Sequence, residues 1–574
     1  MTTDTSVPMV AALPPLPETP GELGLDPVKF PAWRPGQREI ITMLARWFVD
    51  TDESSPRVFM LEAPTGTGKS LIAAGLAAYL WHNGLLHGPD HEGAIISTMT
   101  RNLQHQYVEG TFEGADVRHQ SAVDGGNEPV RLKWASSWGR AGHQCLIVNA
   151  TADKGPCTAG FKCPERHRCT YYSERDAAQD ADVAILNTAM YMTCVNYVRA
   201  AEGTGRGGET TTLFDGAALA IHDEAHVLER AVQSMVEVKL DRSWFNAMGL
   251  PPLPLNSEYP DWEGYIDVVL TSVELAANRA EDTAKQLARM DPPQVLDDPI
   301  LSQAPSMFRK LRQLYFRLLP ARPLITHDRD SVVFRAIWGA DFAEEYLFRY
   351  AYKHLLMSAT IPHPEYTAQT LGLKPGEWKH ITLPNPFAVA RRQIYYRPVV
   401  RMNMRTTPAE FAEMVDALDD IIEQNAAFKG IVHSVSYARA QQILELSRFR
   451  TRMITHKAGA RATQSAIEMY LEADEPVVLV SPSVGVGEDF GRGDNCRFQV
   501  FVKYPVPNLG DPVVNARKEE SPNSLWYEAD MAFIQGVGRG TRSADDWCRN
   551  YLLDKGAAHR LPRLPASIQT AIVR

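Results

Sequence analysis

Ala63-Pro64-Thr65-Gly66-Thr67-Gly68-Lys69-Ser70 lies between an apolar run, Val58-Phe59-Met60-Leu61, and a helix-forming stretch from Leu71 to Trp81. Glycines at a strand-to-helix turn let successive backbone N–H groups curl around phosphate oxygens, and the helix N-terminus adds partial positive charge. Thr65, Gly66, Thr67 and Gly68 form such a cradle, Lys69 reaches the β- and γ-phosphates, and the Ser70 hydroxyl ligates Mg²⁺. Ala63 stands where the motif has its first glycine. The literal pattern is broken there, but the tight Gly66/Gly68 pair is kept.

Two further segments supply what phosphate chemistry needs. The apolar run Ala218-Leu219-Ala220-Ile221 leads through His222 into Asp223-Glu224-Ala225-His226. An aspartate at the C-terminal edge of a strand can hold Mg²⁺ directly or through water, and the adjoining Glu224 is placed to orient and deprotonate an attacking water. Far along the chain, Gln535-Gly536-Val537-Gly538-Arg539-Gly540-Thr541-Arg542 sets two arginines three apart. On a helical turn these share a face and can meet a γ-phosphate as arginine fingers do. Alone, the run also reads as a solvated basic turn; the phosphate-binding segments favour the first reading.

Four of the seven cysteines, Cys145, Cys157, Cys163 and Cys169, fall in one window with spacing C-x11-C-x5-C-x5-C. Seven in so long a chain is too sparse for a secreted disulfide framework, so such a cluster points to metal. Structural zinc sites usually begin with C-x2–4-C knuckles, and none is present. Four thiolates in looser loops suit an iron–sulfur core better; zinc and inert packed thiols remain the alternatives. Cys194, Cys496 and Cys548 lie elsewhere and read as packed thiols.

Strand and helix signals alternate from Phe30 onward as in a parallel-sheet α/β domain. The alternation resumes after Leu383-Pro384-Asn385-Pro386, with buried-strand candidates Gly430–Val435, Pro476–Val480 and Phe498–Val502. Between the first two strands lies an insertion, 130–182, that holds the cysteines. A second, 230–348, carries helical periodicity over Tyr265–Met290 and Ser306–Leu319 and is expected to be mostly helical. Residues 1–22 are Pro-rich and aperiodic, which predicts a disordered tail. At 574 residues there is room for about three or four domains of ~150 residues. The net charge of −10 argues against coating nucleic acid non-specifically but leaves room for a narrow basic groove. No long apolar run and no leader pattern occurs, so a soluble, unexported, cytoplasmic protein is expected.

These motifs together resemble a superfamily 2 helicase: Asp223-Glu224-Ala225-His226, Ser358-Ala359-Thr360, and the glutamine–arginine run at 535–542. Arg34-Pro35-Gly36-Gln37 is similar to the adenine-contacting motif of that superfamily. Ser97-Thr98-Met99-Thr100-Arg101 with Leu103-Gln104 is similar to its first DNA-contacting motif, and Ser483 to Asp489 to its fifth. The resemblance implies two tandem RecA-like parallel-sheet domains, 23–385 and 386–574. It also implies nucleotide contacts from Gln37, Asp489 and Gln535, and catalysis by Lys69, Asp223, Glu224, Arg539 and Arg542.

Within the superfamily, the lead-in Gly139-Arg140-Ala141-Gly142-His143-Gln144-Cys145 resembles the XPD and DinG helicases, the DinG type more than the repair type. Ala181 to Asn187 matches a further segment of theirs, with Thr188 in place of the usual histidine. That resemblance implies a 4Fe-4S cluster on Cys145, Cys157, Cys163 and Cys169, and an arch domain in the helical insertion. It also implies 5′-to-3′ movement on single-stranded DNA, action on forked duplex DNA, and a monomer using ATP and Mg²⁺. A nucleic-acid-stimulated ATPase that remodels without separating strands is the alternative; a fused nuclease ranks below both. Among lesser candidates, Arg101, Arg131, Lys133 and Arg140 could contact DNA phosphates. Trp134 and Trp138 are expected to pack rather than stack on bases, and His433 to pack at a strand end.

Overall fold

A computed structural model describes residues 13–88, 91–123, 129–159, 163–198, 212–254, 259–291, 293–482, 490, 494–541 and 546–574. Asp489, Arg542 and the 483–489 segment therefore lie outside the described residues. By internal contacts the chain divides into two compact units. One comprises 1–60, 70–357 and 368–379; the other comprises 61–69, 358–367 and 380–574.

The first sheet has seven strands in the order Trp378–Thr382, Val58–Glu62, Ala351–Ser358, Ala217–Asp223, Ala94–Thr98, Val183–Asn187 and Trp134–Ser137. Its registers from Ala351–Ser358 through Trp134–Ser137 are all parallel. A parallel strand covered on both faces reads as a continuous apolar run, and Ala217–Asp223 is buried along its whole length. The helix Lys69–His82 is buried from Leu71 through Trp81, because a helix apolar all round must be enclosed. The segment around the cysteines is built of short 3₁₀ turns ending in the helix Thr170–Gln179.

The expected helical insertion contains the helix Tyr259–Ala288, which packs on Ala304–Gln313. It also contains an antiparallel sheet, Val238–Asp241, Ser331–Arg335 and Leu324–His327. Trp262 closes the space between helix and sheet, fully buried and edge-on to Phe334 at 4.7 Å.

Residues 13–22, expected to be disordered, are instead packed. Leu16 is buried, the Trp33 indole donates to the Pro17 carbonyl at 3.0 Å, and Arg38 donates to the Leu16 carbonyl at 2.9 Å. Proline leaves its carbonyl free to accept, so a Pro-rich segment can dock without making a strand or helix.

In the second unit another seven-stranded sheet runs Met453–Ile454, Val478–Ser481, Gly430–His433, Phe498–Phe501, Arg549–Asp554, Ile394–Val400 and Ile572–Val573. Every pairing in it is parallel. Its helix Pro408–Gln424 begins with a capping box, Thr407 and Glu410 satisfying each other's backbone N–H, and with proline in the first turn. The face Phe411, Met414, Val415 and Leu418 then packs on Val432, Val480, Phe498 and Val500. Among the described residues no helix is long and apolar enough to cross a membrane.

Candidate nucleotide site and cysteine cluster

The strand Val58–Glu62 ends in a loop that turns at Gly66 (φ 87°) and Gly68 (φ 79°) before the helix starts at Lys69. Left-handed backbone of this kind is open to glycine without steric cost. Thr67 closes the loop, its N–H and hydroxyl both donating to the Pro64 carbonyl at 3.1 and 2.7 Å. Ala63 is fully buried, donates its N–H to the Ser358 carbonyl at 2.8 Å and has no positive φ. The position therefore has no conformational need of glycine.

In the first unit, the Tyr107 hydroxyl donates to Asp223 Oδ2 at 3.0 Å. Tyr107 is wholly buried and Asp223 nearly so. Burial first, then the Asp223 charge, pushes the phenol well above its ordinary range and keeps it protonated. Asp223 Oδ1 accepts the Glu224 N–H at 2.9 Å. A carboxylate at the end of the strand Ala217–Asp223 suits a hard cation such as Mg²⁺.

Glu224 holds left-handed backbone, φ 58° and ψ 44°, which costs a non-glycine residue on the order of 1–3 kcal/mol and clusters at functional sites. Its carboxylate lies 3.3 Å from His226 Nδ1. His222 faces the other way. Its Nδ1 pairs with Ser97 Oγ at 2.7 Å and its Nε2 with His354 Nδ1 at 3.1 Å, while His354 Nε2 meets the Phe348 carbonyl at 2.8 Å. Burial drives His222 well below its ordinary pKa and His354 down to about 4, so this chain is a neutral structural tie. Thr188 joins it, donating to the Thr98 carbonyl at 3.2 Å. Gln37 is buried and its Oε1 accepts the Arg34 N–H at 2.8 Å, which folds the turn back on itself.

In the second unit, Gln535 lies on the helix Ser524–Val537, and Arg539 on the 3₁₀ turn Gly538–Gly540 that follows. The Gly536 carbonyl accepts from Gln499 Nε2 at 3.0 Å, and Gln499 Oε1 pairs with His433 at 3.0 Å. His433 stacks on Phe501 with ring centroids 4.3 Å apart. Burial, with Arg539 nearby, lowers its pKa to about 4. His433 therefore packs, as expected. A Cβ placed on Gly538 would stand 3.9 Å from Thr65 Oγ1.

Sequence reasoning missed Tyr107 and a cluster around Asp530. That fully buried carboxylate accepts from the Tyr504 hydroxyl at 2.7 Å, His363 Nε2 at 2.9 Å and Arg560 Nε at 3.2 Å. Burial alone would raise its pKa, but these bonds hold it below the ordinary value. His363 follows Ser358-Ala359-Thr360, and Asp530 lies on the helix that carries Gln535. No local pattern announces a pair 167 residues apart.

Among the described residues no group of three or more His, Cys, Asp or Glu is placed to hold a metal ion. The four cysteines nevertheless share a neighbourhood. Cys163 is pushed up by burial and then by the charges of Cys157, Cys145 and Cys169. Arg140 Nη1 lies 3.2 Å from Cys157 Sγ while its guanidinium covers the Tyr171 ring at 4.7 Å. A Cβ on Gly155 would approach Cys145 Sγ to 3.1 Å. Four thiols beside the half-buried Arg140 fit a multi-thiolate group, since cationic neighbours favour thiolate. Cys194, Cys496 and Cys548 are buried.

The candidate DNA-contacting residues are partly engaged within the protein. Arg101 covers Trp138 at 4.9 Å, Trp138 meets His105 edge-on at 4.6 Å, and Trp134 stacks on Phe112 at 5.8 Å. Arg131 pairs with Asp116 at 3.2 Å, and Lys133 is exposed.

Residues 422–569 match the sequence family described as the helicase C-terminal domain. The ATP-dependent DNA helicase YoaA of Escherichia coli K12 is 22% identical over 462 residues, which cover 70% of this chain and 68% of that protein. Among solved structures, an XPD helicase superposes with a TM-score of 0.56 at 15% identity, over 91% of this chain and 96% of that one. The S. tokodaii Xpd4 structure gives 0.54 at 15% identity, over 94% and 99%. The fold of two parallel-sheet α/β domains is thus shared with them.

Proposed function

Taking the chain as an XPD/DinG-like helicase of superfamily 2, as its C-terminal domain and fold support, we propose that it hydrolyses ATP to move along single-stranded DNA and separate strands. The observation that carries the reading is that Asp223 ends a buried strand of the same sheet as Val58–Glu62, the strand that leads into the Gly66/Gly68 turn. In this reading Lys69 and the loop from Thr65 to Gly68 bind the phosphates, and Gln37 and Gln535 contribute to nucleotide binding. Glu224 takes the proton of the attacking water, and Arg539 stabilises charge on the γ-phosphate. Ser70 and Asp223 would hold Mg²⁺, which neutralises phosphate charge when bound. Asp489 and Arg542 keep the nucleotide and arginine-finger roles that the resemblance assigns them.

The finer reading extends to the insertions. Residues 130–182 form an iron–sulfur domain and 230–348 an arch domain within motor domain 23–385, followed by motor domain 386–574. Cys145, Cys157, Cys163 and Cys169 would hold a 4Fe-4S cluster, whose inorganic core ties loops that have little hydrophobic core of their own. The neighbourhood of the four thiols and the Arg140–Cys157 contact support this. Travel is 5′-to-3′, with forked duplex as substrate.

Strand displacement on forked, 5′-tailed and 3′-tailed duplexes tests the proposal with wild-type, Lys69→Ala and Cys163→Ser proteins. Displacement by the wild type on the forked and 5′-tailed substrates, lost in Lys69→Ala, is expected. DNA-stimulated ATP hydrolysis without displacement on any substrate would replace it with the remodelling reading.

A further inference from the structure

The stretch 299–327 holds Arg309, Lys310, Arg312, Arg317 and Arg322 and no aspartate or glutamate, in a chain of net charge −10. Its helix Ala304–Gln313 and the π-helical turn Leu314–Leu318 that continues it bury Ala304, Met307, Leu311, Leu314 and Leu318. A helix with one apolar stripe seats that stripe and turns the rest outward. Lys310 and Gln313 are tied down, donating to the Lys239 and Met235 carbonyls at 3.1 Å, and Arg317 pairs with Glu345 at 2.7 Å. What remains is a ladder of rings and guanidinium groups. The Arg312 guanidinium lies 5.8 Å from the ring centroids of both Phe308 and Phe316. Phe316 is 57% exposed, and Arg309 and Arg312 are exposed beside it. Among the described residues neither of these arginines pairs with a carboxylate.

A single exposed phenylalanine needs no ligand to explain it. One set against a guanidinium that has no carboxylate partner, in a stretch free of acid, presents an apolar ring face and cationic N–H groups side by side. Single-stranded nucleic acid offers the matching pair, a flat base and a phosphate, and aromatic platforms set among arginines bind it. An acidic peptide would use the charge and leave the ring idle. Packing between two rings also limits the rotamers of Arg312, so less freedom is lost when it meets an anion. We propose that Phe316, with Arg309 and Arg312, forms a stacking platform for single-stranded nucleic acid, a base lying on the ring and neighbouring phosphates on the guanidinium groups. None of the helicase-like motifs of the sequence falls in this stretch. The inference rests on the nucleic-acid reading given above and adds a site for that ligand.

The test measures the fluorescence anisotropy of labelled oligothymidylate, and of an abasic oligonucleotide of equal length, on the full-length protein. Phe316→Ala should weaken oligothymidylate binding about five-fold or more and leave the abasic strand unchanged, because only the first has bases to stack. Arg312→Ala should weaken both strands and reduce the slope of log affinity against log salt by about 0.7. Oligothymidylate affinity unchanged in Phe316→Ala overturns the proposal, as does an equal loss on both strands. If Phe316→Ala does not fold, Arg309→Ala and Arg312→Ala decide, and a salt slope equal to that of wild type overturns it. Polyglutamate bound by wild type but not by Arg312→Ala, with both strands indifferent to the substitutions, assigns the face to an acidic protein segment and overturns it too. Wild type that binds neither strand defeats the nucleic-acid reading itself, a distinct result from binding that ignores this face.

Discussion

Replacing Asp530 by alanine removes the acceptor shared by Tyr504, His363 and Arg560. Arg560 keeps only 7% of its side chain exposed and Tyr504 2%, so neither can recover its partner from water. Breaking a buried ion pair by deleting one member costs about 3–5 kcal/mol, because the other charge stays buried and unpaired. For a unit of this size 1 kcal/mol corresponds to roughly 2–4 °C. The thermal transition of the second unit should therefore fall by about 6–20 °C, measured by differential scanning calorimetry. Tyr504→Phe, losing one bond to a charged acceptor, should fall less, in line with about 1.5–3 kcal/mol. The pH dependence has a fixed sign. Because the folded carboxyl is held below its ordinary value, its contribution is complete above the unfolded pKa of about 4 and is lost as pH falls through the lower folded pKa. The gap between wild type and Asp530→Ala should shrink in acid. A variant melting within about 2 °C of wild type at neutral pH would refute the view that this cluster fastens the helix bearing Gln535.

Glu224→Gln should still bind ATP with Mg²⁺ while turnover falls about 10²–10⁴-fold, read by single-turnover hydrolysis beside analogue binding. Arg539→Ala should lower DNA-stimulated kcat by about 10³-fold or more, with nucleotide affinity changed far less; equal losses in both would assign Arg539 to ground-state binding instead. Cys163→Ser, purified anaerobically, should lose iron, sulfide and visible absorption together, and a wild-type protein that is colourless and free of both removes the cluster.

The nucleotide loop, the acidic strand end and the arginine turn were legible because each is local: a few residues whose chemistry depends on neighbours in sequence. Strand candidates such as Val58–Leu61 and Phe498–Val502 were legible for the same reason, being apolar runs with turn residues at their ends. Tyr107 was not, since nothing in Leu103-Gln104-His105-Gln106-Tyr107 says which buried groups its hydroxyl will meet. Asp530 reads as one acidic residue on a helix until the fold delivers His363 and Arg560. The packed segment 13–22 was misread because composition reports the absence of periodic structure, not the absence of partners for free carbonyls. The antiparallel sheet in the helical insertion escaped because strands of four or five residues carry too few alternations to stand out beside a thirty-residue helix.

Ala63 bears on how such chains are found at all. Geometry does not demand glycine at the start of this loop, for the residue there is enclosed, has no positive φ and is tied to Ser358 through its backbone N–H. What the position restricts is volume, since a side chain larger than that of the fully buried Ala63 would have to displace packed neighbours.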